Sequence, residues 1–157
     1  MLKRSLRASG VLVITFAIAA SVAPIAAAKP TPLANWWHTN RKPVIELHSS
    51  ITTLVSDLAH LAKALNESTK KFDDALLAFG RAFKTVTTRV EVARRLRPPP
   101  GFKEWRTLLA GSQHLALVAS SFAIDGKGFT GLESAATRAG RLWQVLGGYL
   151  ARHHLNI

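Results

Sequence analysis

The sequence predicts an all-α protein: an up-down four-helix bundle behind an N-terminal signal peptide and a Pro-rich arm. Three observations predict it. Apolar residues recur at alternating steps of four and three over successive stretches, the spacing that lines one face of a helix. The stretches are separated by sharp breaks: a polar run at Asn66–Lys70, prolines at 98, 99 and 100, and the loop Asp125-Gly126-Lys127-Gly128. Nowhere does strict apolar/polar alternation survive, as a half-buried strand would require.

Residues 1–28 have the layout of a secretory signal peptide. Lys3, Arg4 and Arg7 precede an apolar run from Val11 to Ala20, and Ala26-Ala27-Ala28 offers a cleavage site before Lys29. The run is too short for a membrane span, which takes roughly 20 apolar residues. The chain contains no cysteine, so disulfides, thiolate metal sites and a lipidated cysteine are all excluded. Apolar packing alone must hold the exported domain.

Residues 29–43 carry prolines at 30, 32 and 43 and read as an extended arm, because proline removes a backbone donor and blocks regular helix. Trp36 and Trp37 lie on it. Two readings are open for them: folded back as a cap on the bundle, or exposed as an aromatic anchor for a partner. The bundle is assigned to residues 44–157. Its first stripe is Leu47, Ile51, Leu54, Leu58, Leu61 and Leu65, with Pro43 and Glu46 suited to a first turn.

The second stripe is Phe72, Leu76, Phe79, Phe83, Val86, Val90 and Ala93, one residue out of phase with the first. One long helix and two shorter ones both fit; a turn near 66–69, capped by Asn66 or Ser68, is preferred. Gly80 within this stretch suggests a close helix contact. Arg94, Arg95 and Arg97 crowd the helix C-terminus, where cations meet the negative end of the dipole. Pro98–Pro100 then stop the helix.

A third pattern starts at Phe102 or Trp105 and runs through Leu108, Leu109, Leu115, Val118 and Phe122. The fourth spans about Thr130 to His154 on Leu132, Ala136, Ala139, Trp143, Leu146 and Leu150, with Gly140, Gly147 and Gly148 suggesting tight packing or mobility.

At Leu96, Pro98, Pro99, Phe102 and Trp105 the chain resembles a loose group of small exported helical proteins of unknown function from high-GC Gram-positive bacteria. In that group a Leu-x-Pro-Pro stop is followed by an aromatic or His residue. The resemblance spans about residues 72–122 and implies a helical exported protein with no assigned activity. The group's His after the stop is absent here, where Arg106 follows Trp105.

Charge is the most informative surface property. Residues 29–80 hold 6 Lys or Arg against 5 Asp or Glu, whereas 81–157 hold 12 against 4. Such a one-sided field attracts polyanions. Arg89, Arg94, Arg95, Arg97, Lys103 and Arg106, with Trp105 among them, form the expected polyanion- or partner-binding site.

Chemistry is sparsely represented. No two of His38, His48, His60, His114, His153 and His154 stand at i and i+4, the spacing that converges on a metal. Asp73-Asp74 is explained by a helix start, and Ser112 and His114 point apart on a helix. No phosphate-binding loop or cofactor motif is present. The expectation is a non-enzymatic exported bundle, without metal or cofactor, that associates with anionic wall polymer or lipid headgroups, or with a protein partner. Export argues against nucleic acid as the partner. The alternative is a small apolar-ligand or lipid-binding module, its cavity between the Ala- and Gly-rich third and fourth helices.

Overall fold

The computed structural model describes residues 29–156; the signal-peptide assignment lies outside them. Four helices follow one another: α1 (Pro32–Ala64), α2 (Thr69–Arg94), α3 (Lys103–Asp125) and α4 (Phe129–Arg152), with no strand among the described residues. Helices α1 and α2 pair extensively, as do α3 and α4; α2 meets α3 over a smaller seam, and α1 meets α4 over one smaller still. The result is an up-down four-helix bundle built from two hairpins, as the spacing predicts.

The extended arm expected over 29–43 is corrected by the structure. Only Lys29 to Thr31 are non-helical, and α1 begins at Pro32, well before the apolar stripe that starts after Pro43. Thr31 caps the helix by accepting a hydrogen bond from the Ala34 N–H at 3.2 Å. Pro32 occupies the first turn, where a missing N–H is harmless. Pro43 sits inside the helix and supplies no N–H to the Thr39 carbonyl, a cost of about 3 kcal/mol. Burial of Leu33, Trp36 and Trp37 outweighs it. Each indole removes roughly 150–250 Å² from water, about 4–6 kcal/mol at 25 cal/mol per Å². The register from Leu33 through Trp37 and Val44 to Leu47 passes through Asn40, whose side-chain N–H is bound to the Trp36 carbonyl at 2.8 Å. One polar residue on the stripe thus conceals the helix start.

The preferred turn is present. Helix α1 ends at Ala64, residues 65–68 reverse the chain, and Ser68 occupies the N-cap of α2 without a side-chain hydrogen bond. In α2 the core side is Phe79, Ala82, Val86, Val90 and Ala93. Leu76 is exposed, and Phe72 and Phe83 are only half-buried against the edge of the core, so three members of the expected stripe are not interior. The small Ala82 takes an inward place on this helix, which pairs extensively with α1. Gly80 marks no close contact: a Cβ added there meets nothing within 4 Å. The close approach is at Gly111 in α3, where an added Cβ would strike the Leu142 side chain of α4.

After α2 the three prolines lead into Gly101, in the left-handed region at φ 85°, which glycine adopts without strain. Phe102 follows with φ −75° and ψ 75°, and the Lys103 N–H donates to the Gly101 carbonyl at 2.8 Å. This is an inverse γ-turn. It drives the Phe102 ring inward, where it is 2% exposed.

Candidate functional site

Up-down topology brings the start of α1, the end of α2, the start of α3 and the end of α4 to one end of the bundle. An aromatic cluster ties the ends of α1, α3 and α4 together. Trp36 of α1 lies 5.4 Å, centroid to centroid, from both Phe102 and Trp105, and Phe102 stacks on Tyr149 of α4 at 5.2 Å. The Tyr149 ring in turn contacts His153 and lies below the Arg152 guanidinium at 5.9 Å. The opposite end has its own cluster, where Phe122 of α3 touches Phe79 of α2 and Phe129 of α4.

Trp36, Trp37 and Trp105 are therefore interior residues, with Trp105 1% exposed and Trp37 2%. Trp105 offers no surface to a partner, which corrects its place in the expected site, and the arm tryptophans form a cap on the bundle. The large apolar area of three indoles gains more inside than on a polar rim. The indole N–H groups of Trp36 and Trp105 have no hydrogen-bond partner among the described residues.

The basic residues divide into two kinds. Arg89 is half-buried and holds Glu46 of α1 at 2.8 Å, tying the first hairpin across its seam. Glu46 thus serves this pair and not a helix first turn. Arg94 binds Glu91 one turn before it at 2.9 Å. Arg95, Arg97, Lys103 and Arg106 are exposed and have no carboxylate within ion-pair distance among the described residues. These four are the free cations of the expected site.

Cutting each helix at its midpoint shows how the fold sorts charge. Residues 29–48, 82–113 and 140–157, the half around Trp36 and Phe102, contain 12 Lys or Arg against 3 Asp or Glu. The other half, residues 49–81 and 114–139, contains 6 against 6. The whole excess of nine positive charges in residues 29–157 sits on one half of the bundle. At the balanced end, Lys71 donates to Glu67 and holds its carboxyl below the usual range.

The residues weighed for chemistry are otherwise engaged. Ser112 is buried and its hydroxyl donates to the Leu108 carbonyl at 2.9 Å. His48 packs on Trp143, ring centroids 4.6 Å apart. The seam between α3 and α4 is filled at Gly111 by Leu142. An open groove of about 380 Å³ runs instead between α2 and α3, lined by Phe83, Val90, Arg94, Ala116 and Leu117 among others. Periodicity did not reveal a second surface feature, exposed apolar residues on α2 and α3 that include Leu76, Leu77, Leu117 and Ile124; Leu65 and Val145 are exposed elsewhere. For Leu117 and Ile124 the available signal was the 18-residue run Thr107–Ile124, which contains no Lys, Arg, Asp or Glu.

Comparison of the chain with protein-family models, with curated proteins and with solved structures found no match.

Proposed function

We propose that this bundle is an exported, non-enzymatic module that binds anionic polymer or headgroup surfaces of the cell envelope through its basic end. The observation that carries the reading is the sorting of charge, 12 basic against 3 acidic residues on one half and 6 against 6 on the other. A cluster of one sign raises the local concentration of oppositely charged groups and steers their approach. Arg95, Arg97, Lys103 and Arg106 border the loop that carries three prolines, which holds them close without a long flexible segment. The aromatic cluster beneath keeps the start of α1, the start of α3 and the end of α4 in place. A small apolar ligand between α3 and α4, the alternative, has little room where Leu142 covers Gly111.

Retention on immobilised polyphosphate tests the reading. The protein should be retained at low salt and released as salt rises, since screening shortens the reach of exposed charges to about 8 Å at physiological ionic strength. Replacing Arg97, Lys103 and Arg106 together by Gln should lower the eluting salt concentration well below that of the parent. Replacing Lys63, Lys70 and Arg138, on the balanced half, should change it far less. Equal losses from the two triple variants, or no retention of the parent, would refute the proposal.

A further inference from the structure

The outward stripe of α3 carries a second pattern. Arg106, Ala110, His114, Leu117, Ser121 and Ile124 follow one another at helical steps, and all are exposed. The stripe carries Arg106 beside the proline loop and is apolar at its far end, with Leu117 69% and Ile124 84% exposed. It contains no carboxylate. On the neighbouring helix, Leu76 and Leu77 line a shallow depression together with Arg81 and Lys84. Between the two helices lies the open groove, lined by Phe83, Val90 and Leu117, with Arg94 and Glu91 toward its basic end.

We infer that the α2–α3 face lies on an anionic lipid bilayer, with Arg95, Lys103 and Arg106 among the headgroups and Leu76, Leu77, Leu117 and Ile124 in the acyl boundary. The inference rests on the polyanion-binding reading and names its ligand. Charge complementarity selects an anionic surface; the apolar residues then separate a bilayer from a soluble polymer. A phosphate polymer neutralises the arginines but has no use for four exposed aliphatic side chains. A bilayer uses both, because interfacial binding adds buried apolar area to attraction for anionic lipid. The two carboxylates that line the groove and the depression do not oppose it strongly. Glu91 is already bound to Arg94, and Asp73 shares its depression with Arg81 and Lys84.

The absence of cysteine allows a direct test on the full chain. Single substitutions Leu117→Cys, Ile124→Cys and, on α1, Val55→Cys are each labelled with an environment-sensitive fluorophore. They are mixed with vesicles of phosphatidylglycerol and phosphatidylcholine in equal parts. Labels at 117 and 124 should brighten and shift to the blue, and the label at 55 should not. Because each label reports its own surroundings, the result does not depend on how residues 1–28 treat the vesicle. Co-sedimentation with no change at 117 and 124, or an equal change at 55, overturns the bilayer face while leaving polyanion binding intact. Polyphosphate retention without vesicle binding has the same meaning. Loss of both overturns the two readings together. As a second measurement, the double variant Leu117→Ser, Ile124→Ser should bind these vesicles at least about tenfold more weakly in physiological salt, because two aliphatic side chains no longer leave water for the acyl boundary. Its elution from polyphosphate should match the parent; vesicle binding equal to the parent's refutes the inference.

Discussion

Trp36, early in α1, packs against Trp105 near the start of α3 with ring centroids 5.4 Å apart and planes inclined at 59°. The contact joins the first and third helices across one end of the bundle, where helix pairing is otherwise strongest within each hairpin.

Trp36→Ala should therefore lower stability by about 3–5 kcal/mol, the usual cost of deleting a buried large aromatic. Trp36→Phe should recover much of that loss, since it keeps a ring and removes an indole N–H that has no partner among the described residues. Denaturant unfolding of the two variants measures both; equal destabilisation would mean that the N–H is bound after all.

The Glu46–Arg89 pair, at 2.8 Å and only partly exposed, is expected to couple α1 to α2. A double-mutant cycle with Glu46→Gln and Arg89→Met should give an interaction energy of about 0.5–1 kcal/mol, shrinking in high salt. A coupling energy of zero would reduce the pair to a surface coincidence.

Gly80 and Gly140 stand inside exposed helix faces with nothing within 4 Å of an added Cβ. Gly80→Ala and Gly140→Ala should each stabilise the protein by about 0.5–1 kcal/mol through the higher helix propensity of alanine. Thermal unfolding shows the gain as a raised Tm, and a lowered Tm would reveal a contact that glycine alone permits.

Helix α4 ends in a Schellman motif. The Leu155 N–H donates to the Leu150 carbonyl and the His154 N–H to the Ala151 carbonyl, both within 3.0 Å, and Leu155 is buried. His154 holds the left-handed position at φ 57°, where glycine is favoured. His154→Gly should stabilise by about 1 kcal/mol, the strain a side chain adds there. Unchanged unfolding would show that the histidine makes a compensating contact.

Where apolar spacing was uninterrupted, it located the helices. The stripe from Leu132 to Leu150 is buried at all six positions, and the break at 65–68 falls where polar residues replace the pattern. The start of α1 was hidden because Asn40 and three prolines mask a register that only the burial of Trp36 and Trp37 makes worthwhile. The basic cluster was legible as composition. Its division into Arg89 and Arg94, held by carboxylates, and four free cations was not, because the Arg89 pair joins residues 43 positions apart.

By itself, then, the sequence determined four helices, their breaks and a basic second half, since periodicity and proline act within a few residues along the chain. Tertiary structure decided which faces those helices hide. It turned Trp105 inward and placed Ala82 on the core in preference to Leu76. It left Leu117 and Ile124 in solvent and gathered the charge excess at one end. Each of these outcomes depends on how closely a neighbouring helix approaches, a quantity that no local pattern contains.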